Sequence, residues 1–373
     1  MIEKIMKAVK SSNKKRSRNI TIGAVIGFLL SCTAVMGADD NYLWIKGENN
    51  GAIEFINQKT TSSDGSGGTW SEENPYEDAG NIWNTEENTY TNNIELSSNE
   101  KNGKDYNGDV SYGLRLSGDL NKLNFINNNS IMGTGAKGDR QPNVGILIET
   151  TISTLTNNDS IMGVGIDIGV GFGIYNNQPI ENLINNGSII GKSISSANNY
   201  GIYTISLIAN LANNGLITGK YGITCLAITN LTNNGLITGN YDGINIPQNS
   251  GSGIKLLINN GLISGTAHGI SNGIKMLTVV NSGIIAAKEA SDGYAIFTSR
   301  NNSNNNRDNE IIINKGLITA TGSSKSCGIY NENSEDNKAS KIIINKGLIT
   351  ATGSSESYGI YNGNKKKDNP IIN

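Results

Sequence analysis

The chain has 373 residues, a formal net charge of −2, and 30 basic against 32 acidic side chains. This balance gives no argument for nucleic acid or an anionic membrane surface as a partner. From a single His we assemble neither a Ser-His-Asp set nor a His-rich metal site, so we predict no catalytic residue, no cofactor and no metal.

Residues 1–37 are typical of an extended secretory signal peptide. A long basic head precedes an apolar run from Ile20 to Leu30, and small residues follow before two aspartates. The run is shorter than a membrane-spanning helix needs, so we predict export with cleavage after Gly37 or Ala38. The alternative is a lipoprotein signal in residues 29–32, which would place a lipid on Cys32.

Residues 38–110 are predicted to form an N-terminal cap and loop region. All three Trp and a cluster of acids lie here, and residues 42–45 and 53–56 are expected to be strands of the cap. A solenoid needs such a cap because its first coil has an open edge. The acids match no Ca²⁺ loop in their spacing, so we interpret them as a solvated face.

Residues 111–373 are predicted to be solenoid repeats. The unit is illustrated by residues 231–239, Leu-Thr-Asn-Asn-Gly-Leu-Ile-Thr-Gly, and we identify nine copies, whose starts lie between 20 and 33 residues apart. Such periods are typical of solenoids. The copies begin at Phe125, Leu155, Leu183, Leu211, Leu231, Leu257, Val279, Ile312 and Ile343.

The third position of the unit is Asn in every copy, which predicts an amide ladder at a buried corner with rungs about 4.8 Å apart. These residues are Asn127, Asn157, Asn185, Asn213, Asn233, Asn259, Asn281, Asn314 and Asn345.

The fifth position is Gly in seven copies, including Gly187, Gly215, Gly235 and Gly261, and predicts a left-handed corner. The seventh position is always Ile, as at Ile189, Ile217, Ile237 and Ile263, and is predicted to face inward. The variable sixth position is predicted to face outward.

A second signature, an aromatic or polar residue followed by Gly-Ile, lies between the copies, for example at residues 200–202, 221–223, 327–329 and 358–360. The shortest repeat, residues 211–230, contains both signatures in 20 residues, about one turn of a parallel β-helix. A lone coil cannot offset its backbone entropy, whereas a stack can, because each coil bonds to its neighbours. We therefore predict an all-β, single-stranded parallel β-helix.

After signal removal, Cys225 and Cys327 remain, about four coils or roughly 19 Å apart in such a stack. A disulfide needs Cα atoms within about 7 Å, so we predict that both cysteines are unpaired.

His268 occupies the slot that Tyr200, Tyr221 and Tyr358 fill in other coils, so we interpret it as a surface-facing corner residue. The only acids between residues 180 and 287 are Glu181 and Asp242, three motif copies apart, which is too far for a catalytic pair.

Two Asn-rich insertions, residues 300–307 and 331–340, are expected to project as loops, either as binding loops or as spacers. Residues 371–373 match the first three positions of a tenth copy, so the chain is expected to end inside a coil, without a far cap.

The basic head, residues 31–37 (Ser-Cys-Thr-Ala-Val-Met-Gly), residues 42–46 (Tyr-Leu-Trp-Ile-Lys) and the Asn-Asn-Gly repeats together resemble an autotransporter passenger with an autotransporter-associated N-terminal region. This resemblance implies a right-handed parallel β-helix that acts as an adhesin at the outer membrane of a Gram-negative bacterium. Members end in a translocator barrel of alternating strands, and this chain has no segment that could form one.

We therefore predict a non-enzymatic adhesin passenger at the cell surface, outer membrane or extracellular space. Its expected partners are the export machinery and a receptor on host cells or matrix, with outer-membrane association only through a translocator absent from this chain. The alternatives are a β-helix carbohydrate-active enzyme, a lyase or glycosidase, and a purely structural stalk.

Overall fold

The computed structural model describes residues 41–49, 51–57, 71–99, 102–105, 108–120, 122–135, 141–166, 168–194, 198–247, 252–273, 276–300, 310–333, 341–362 and 371–372. All of them belong to one compact unit, Asp39–Asn373. The predicted signal peptide, its cleavage at Gly37 or Ala38, Cys32 and most of both Asn-rich insertions lie outside the described residues.

The described residues form an all-β structure. Its strands are β1 (Leu43–Gly47), β2 (Ile53–Ile56), β3 (Ile82–Asn84), β4 (Thr89–Asn92), β5 (Leu96–Ser98), β6 (Gly103–Asp105), β7 (Gly108–Gly118), β8 (Asn124–Asn127), β9 (Ile131–Gly133), β10 (Pro142–Ile148), β11 (Ile152–Asn157), β12 (Ser160–Gly165), β13 (Val170–Asn176), β14 (Ile180–Asn185), β15 (Ser188–Ser193), β16 (Asn199–Asn213), β17 (Leu216–Asn233), β18 (Leu236–Ile246), β19 (Gly253–Asn259), β20 (Leu262–Gly265), β21 (His268–Asn272), β22 (Met276–Asn281), β23 (Ile284–Arg300), β24 (Glu310–Asn314), β25 (Leu317–Asn333), β26 (Lys341–Asn345), β27 (Leu348–Thr352), β28 (Glu356–Asn362) and β29 (Ile371–Ile372).

The strands stack as three columns of parallel rungs, as the predicted parallel β-helix requires. In each coil the chain passes through the three columns in turn, as β7, β8 and β9 do before β10 returns to pair with β7. Long strands such as β17 bend around a corner, because Leu216–Gly219 pairs within one column and residues 227–233 within another. The fold is therefore a parallel β-helix solenoid.

The pairing register confirms the repeat alignment residue by residue. Leu211 pairs with Leu231, Asn213 with Asn233 and Ile217 with Ile237. At the far end, Ile371 pairs with Ile343, the first position of the ninth copy, as the match to a tenth copy predicted.

The core is a set of aliphatic columns along the solenoid axis. In one coil Ile223, Leu231 and Ile237 are all fully buried. Burying such a side chain contributes roughly 1.5–3 kcal/mol, which is why stacked coils are stable where one is not. The inward direction of position seven is thus confirmed, and Leu236 at position six is only half-buried.

The predicted left-handed corner at position five is wrong. Positive φ occurs at Gly51, Gly80, Gly118 and Gly253 among the described glycines, and at none of the motif glycines. Glycine is needed there for another reason: a Cβ on Gly235 would collide with the backbone carbonyl oxygen of Gly215 in the preceding coil. From Gly187 onward the corners of successive coils approach too closely for a side chain, whereas the two earlier copies carry Asn129 and Asp159 there.

The N-terminal end is closed by a hairpin. The two predicted cap strands form the antiparallel pair β1 and β2, and β1 also pairs in parallel with β7. The domain bounds remain predictions, but the region before residue 110 contains a further motif copy: Tyr90, Asn92 and Leu96 pair with Phe125, Asn127 and Ile131.

Cys225 and Cys327 are both buried and form no disulfide, as predicted. Burial raises the pKa of the Cys225 thiol to about 12, so it stays protonated at neutral pH. Searching the described part of the chain finds no helix that is both long and apolar enough to cross a membrane.

Candidate binding face

The predicted Asn residues lie inside the solenoid and form the expected ladder. The Nδ2 group of Asn185 donates to Oδ1 of Asn213 at 2.7 Å and also to the backbone carbonyl of Leu216 at 3.0 Å. The ladder starts one rung earlier than predicted, at Asn92, which donates to Asn127. The remaining rungs join Asn127, Asn157, Asn185, Asn213, Asn233, Asn259, Asn281, Asn314 and Asn345 in order.

The residue before Gly-Ile, or before Gly-Leu or Ala-Ile in the matching coils, forms a column outside the main aliphatic core, here called the outer column; its members range from buried to exposed. Its members pair from coil to coil in the order Tyr112, Val144, Phe172, Tyr200, Tyr221, Asp242, His268, Tyr294, Cys327 and Tyr358. The residue three positions later forms a second column beside it, which includes Tyr175, Tyr203, Phe297, Tyr330 and Tyr361.

A glycine stands between the two columns in the sequence, where the backbone lies against its neighbours. A Cβ on Gly201 would lie 2.6 Å from the carbonyl oxygen of Gly222 and 2.7 Å from Cγ2 of Ile217. The backbone can therefore run close against the neighbouring coil and sheet at this point. Tyr200 and Tyr203, on either side, are half-buried at the surface, while Ile202 is fully buried.

The rings of the outer column stack along the solenoid axis. The centroids of Phe172 and Tyr200 are 5.2 Å apart with an interplanar angle of 9°, and those of Tyr200 and Tyr221 are 5.4 Å apart at 16°. Burial raises the pKa of Tyr200 to about 12. Such stacks use ring faces for contacts within the protein.

An acid–base pair interrupts the ring stack. Nδ1 of His268 lies 2.7 Å from Oδ1 of Asp242, whose side chain is only 4% exposed. Burial raises the pKa of Asp242, and the hydrogen bond and charge of His268 oppose that rise. Tyr241, the residue before Asp242, has 45% of its surface exposed.

The slot predicted for His268 is confirmed, but its predicted surface-facing character is wrong. The imidazole side chain is 14% exposed, because it packs against Tyr241, Tyr294 and Phe297 at centroid distances of 6.0, 5.7 and 4.9 Å. Asp242 was not predicted from the sequence as the partner of His268. The signal was present, because residues 242–244, Asp-Gly-Ile, match the second signature.

A second interruption occurs at Cys327, where the column carries a thiol in place of a ring. The result is a notch of about 270 Å³. Across it, Nζ of Lys325 lies 3.2 Å from Oε2 of Glu356, and both side chains are about half exposed. The notch is lined by Tyr294, Lys325, Ser326, Cys327, Tyr330, Glu356, Tyr358 and Tyr361.

A larger concavity of about 640 Å³ lies at the N-terminal end, beside Trp83, Glu72, Asp119 and Lys122. One residue of its wall, Leu120, belongs to the hydrophobic core. We therefore interpret this concavity as the edge of the N-terminal cap. Among the residues that the structure describes, no group of three or more His, Cys, Asp or Glu side chains is placed to hold a metal ion.

Comparison of the chain with protein-family models, with curated proteins and with solved structures found no match.

Proposed function

We propose that this chain is the exported passenger portion of an autotransporter-like adhesin. It binds receptors on host cells, matrix or neighbouring cells through the lateral face of its solenoid, without chemistry on the ligand. Two observations support this proposal: the N-terminal residues resemble those of an autotransporter passenger, and the fold is a parallel β-helix.

The observation that supports binding best is the pair of aromatic columns on one face of the solenoid. In the outer column the rings continue from Phe172 to Tyr358, broken by Asp242 and by Cys327. The second column carries rings only towards its two ends, because Thr224, Asn245 and Ser271 stand between Tyr203 and Phe297. Tyr241 and Tyr358 are 45% and 43% exposed. Tyrosine is enriched among residues that dominate protein interfaces, because it combines a large apolar ring with a polar tip.

Repetition gives this face its expected mode of binding. Each coil presents a similar set of groups about 4.8 Å from the next, so one weak contact recurs along the stack. Linked weak sites gain avidity without any single strong contact. Affinity should therefore depend on the number of coils.

Solid-phase binding of the full chain to cultured cells and to matrix proteins tests the proposal. The register supplies clean deletions, because Leu211, Leu231 and Leu257 are equivalent positions. Removing residues 211–230 or 231–256 joins equivalent backbone positions and shortens the stack by one coil. Each deletion should lower binding by a step, and the double deletion by a larger one.

The carbohydrate-active enzyme remains the second candidate, and the observation that favours it is the Asp242–His268 pair. A carboxylate that holds an imidazole nitrogen is a common way to orient a general base. The double variant Asp242→Asn/His268→Gln separates the two functions. An adhesin keeps its binding in this variant, whereas cleavage of a sugar polymer by the wild type and its loss in the variant would establish the enzyme. A folded rod that binds no surface would identify a stalk.

A further inference from the structure

We infer that the notch at Cys327 is a binding site for one pyranose ring of a surface glycan. The inference rests on the proposed function and names the ligand class of one part of the binding face.

The notch exists because the outer column omits one ring. Tyr294, Cys327 and Tyr358 are consecutive rungs, so the two tyrosines are two strand spacings apart, roughly 9–10 Å. Cys327 is 1% exposed and forms the floor, with its Sγ donating to the carbonyl of Ile329 at 3.0 Å. A flat contact with each wall takes about 3.5–4 Å, which leaves room for one ring between the two tyrosines.

The walls of the notch are inclined pairs of rings that join the two columns. Tyr358 and Tyr361 meet at 52° and Tyr294 and Tyr330 at 40°, as Tyr200 and Tyr203 do at 58° where no ring is missing. With one ring absent from the outer column, these inclined rings border a concave space. Tyr358 is 43% exposed, so part of its ring is open to a ligand.

A pyranose matches this combination of walls. One face of the sugar ring carries C–H groups, which are weakly positive and pack on the negative face of an aromatic ring. Its edges carry hydroxyl groups, which both donate and accept hydrogen bonds. The ammonium of Lys325 donates and the carboxylate of Glu356 accepts, so together they complement adjacent hydroxyls with charge-assisted hydrogen bonds.

The charge of the notch argues against ionic ligands. Lys325 and Glu356 neutralise one another at 3.2 Å, and the other lining residues are tyrosines, a serine and a thiol. A phosphate would compete with Glu356 for the single cation. A quaternary ammonium, which aromatic cages also bind, would find its nearest carboxylate already paired.

Saturation-transfer NMR on the full chain with the methyl pyranosides of glucose, galactose, mannose and N-acetylglucosamine tests the site. At least one should bind. Tyr358→Ala should weaken that binding about tenfold or more, and Tyr241→Ala, at an equally exposed tyrosine of the same face, should leave it unchanged. Cys327→Tyr should abolish it by filling the gap. Glu356→Gln, a surface change that keeps the fold, should weaken it by removing the charged acceptor.

No binding of any pyranoside to the folded wild type would overturn the inference, as would equal effects of Tyr358→Ala and Tyr241→Ala. Binding of phosphocholine in place of the sugars, lost in Cys327→Tyr, would assign the notch to a cation and overturn it as well. If no sugar binds the wild type and cells attach to both the wild type and Cys327→Tyr, this inference is wrong and the adhesin proposal stands. If the wild type binds a sugar but attaches to no surface, this inference stands and the adhesin proposal is wrong.

Discussion

Asn233 and Asn234 are consecutive residues whose side-chain amides donate in opposite directions along the solenoid. Nδ2 of Asn233 donates to Oδ1 of Asn259 in the following coil at 2.8 Å, whereas Nδ2 of Asn234 donates to Oδ1 of Asn214 in the preceding coil at 2.9 Å. The first ladder is buried and the second is exposed at the same corner. Two antiparallel rows of amide dipoles therefore run side by side, and their fields oppose one another.

The buried row should carry nearly all of the stability of this corner. Asn233→Ala removes the amide donor of the buried Asn259 Oδ1 and one of the acceptors of the Asn213 amide, which keeps its bonds to backbone carbonyls, at a cost of about 1–3 kcal/mol. Asn234→Ala removes equivalent bonds in water and should change stability by less than about 0.5 kcal/mol. Urea unfolding of both variants measures the difference. Equal losses would show that burial does not distinguish the two rows.

The inward column of isoleucines provides a second test. Ile237 is fully buried, so Ile237→Asp places an unpaired charge in the core and should cost several kcal/mol. Leu236→Asp, at the half-buried neighbouring position, should be much milder. Circular dichroism melting curves compare the two, and similar damage from both would contradict the direction assigned to each side chain.

Much of the fold could be predicted because the repeats act as an internal alignment. Positions one, three and seven of the unit carry the same type of residue from copy to copy, so the pairing register of the strands could be predicted from them. The copy at Tyr90 was missed because Ile94 stands where later copies carry Asn, Asp or Gly, and Leu96 stands where they carry Ile. The requirement for Gly was predicted, but its reason was not, because composition cannot separate positive φ from close approach of two backbones.

The binding face was harder to predict because its contacts join different coils. A register shift between Gly219 and Tyr221 leaves the Gly-Ile that follows each residue as the one sequence signal that Tyr221 and Asp242 are equivalent. Without that equivalence, Asp242 and His268 read as unrelated residues, 26 positions apart. The notch depends on the same knowledge, because a missing ring is visible only once its column is known.

The corrected role of the corner glycines gives a third prediction. Gly235→Ala forces a Cβ into the carbonyl of Gly215 and should destabilise the protein by about 1–3 kcal/mol. Neither backbone segment can shift to make room unless the rest of its coil shifts with it. Gly359→Ala is the control, because its Cβ would meet nothing closer than 3.7 Å. Thermal unfolding of the two variants is the measurement, and a Gly235→Ala protein as stable as the wild type would contradict the close-approach explanation.

Export can be tested independently of binding. If residues 1–37 are a signal peptide, the secreted chain begins at Ala38 or Asp39 and carries no lipid. Intact-mass spectrometry of the protein recovered from a Gram-negative host decides this. A diacylated N-terminus at Cys32 would assign the chain to the lipoproteins, and an uncleaved chain in the cytoplasm would contradict export.

The Asp242–His268 pair makes stability depend on pH in a direction that the structure specifies. Burial raises the pKa of Asp242 above its ordinary 3.8, so the folded state favours the neutral carboxyl more than the unfolded state does. The resulting stabilisation is complete below about pH 3.8 and is lost as pH rises through the folded-state pKa.

Asp242→Asn keeps a neutral side chain at every pH and nearly the same shape. Its melting temperature should therefore exceed that of the wild type at pH 7 and match it at pH 3. Asp159→Asn, at an exposed corner where another copy carries Asn, should show no such gain. A variant that is less stable than the wild type at pH 7 would mean that the ion pair with His268 outweighs the cost of burying the carboxylate.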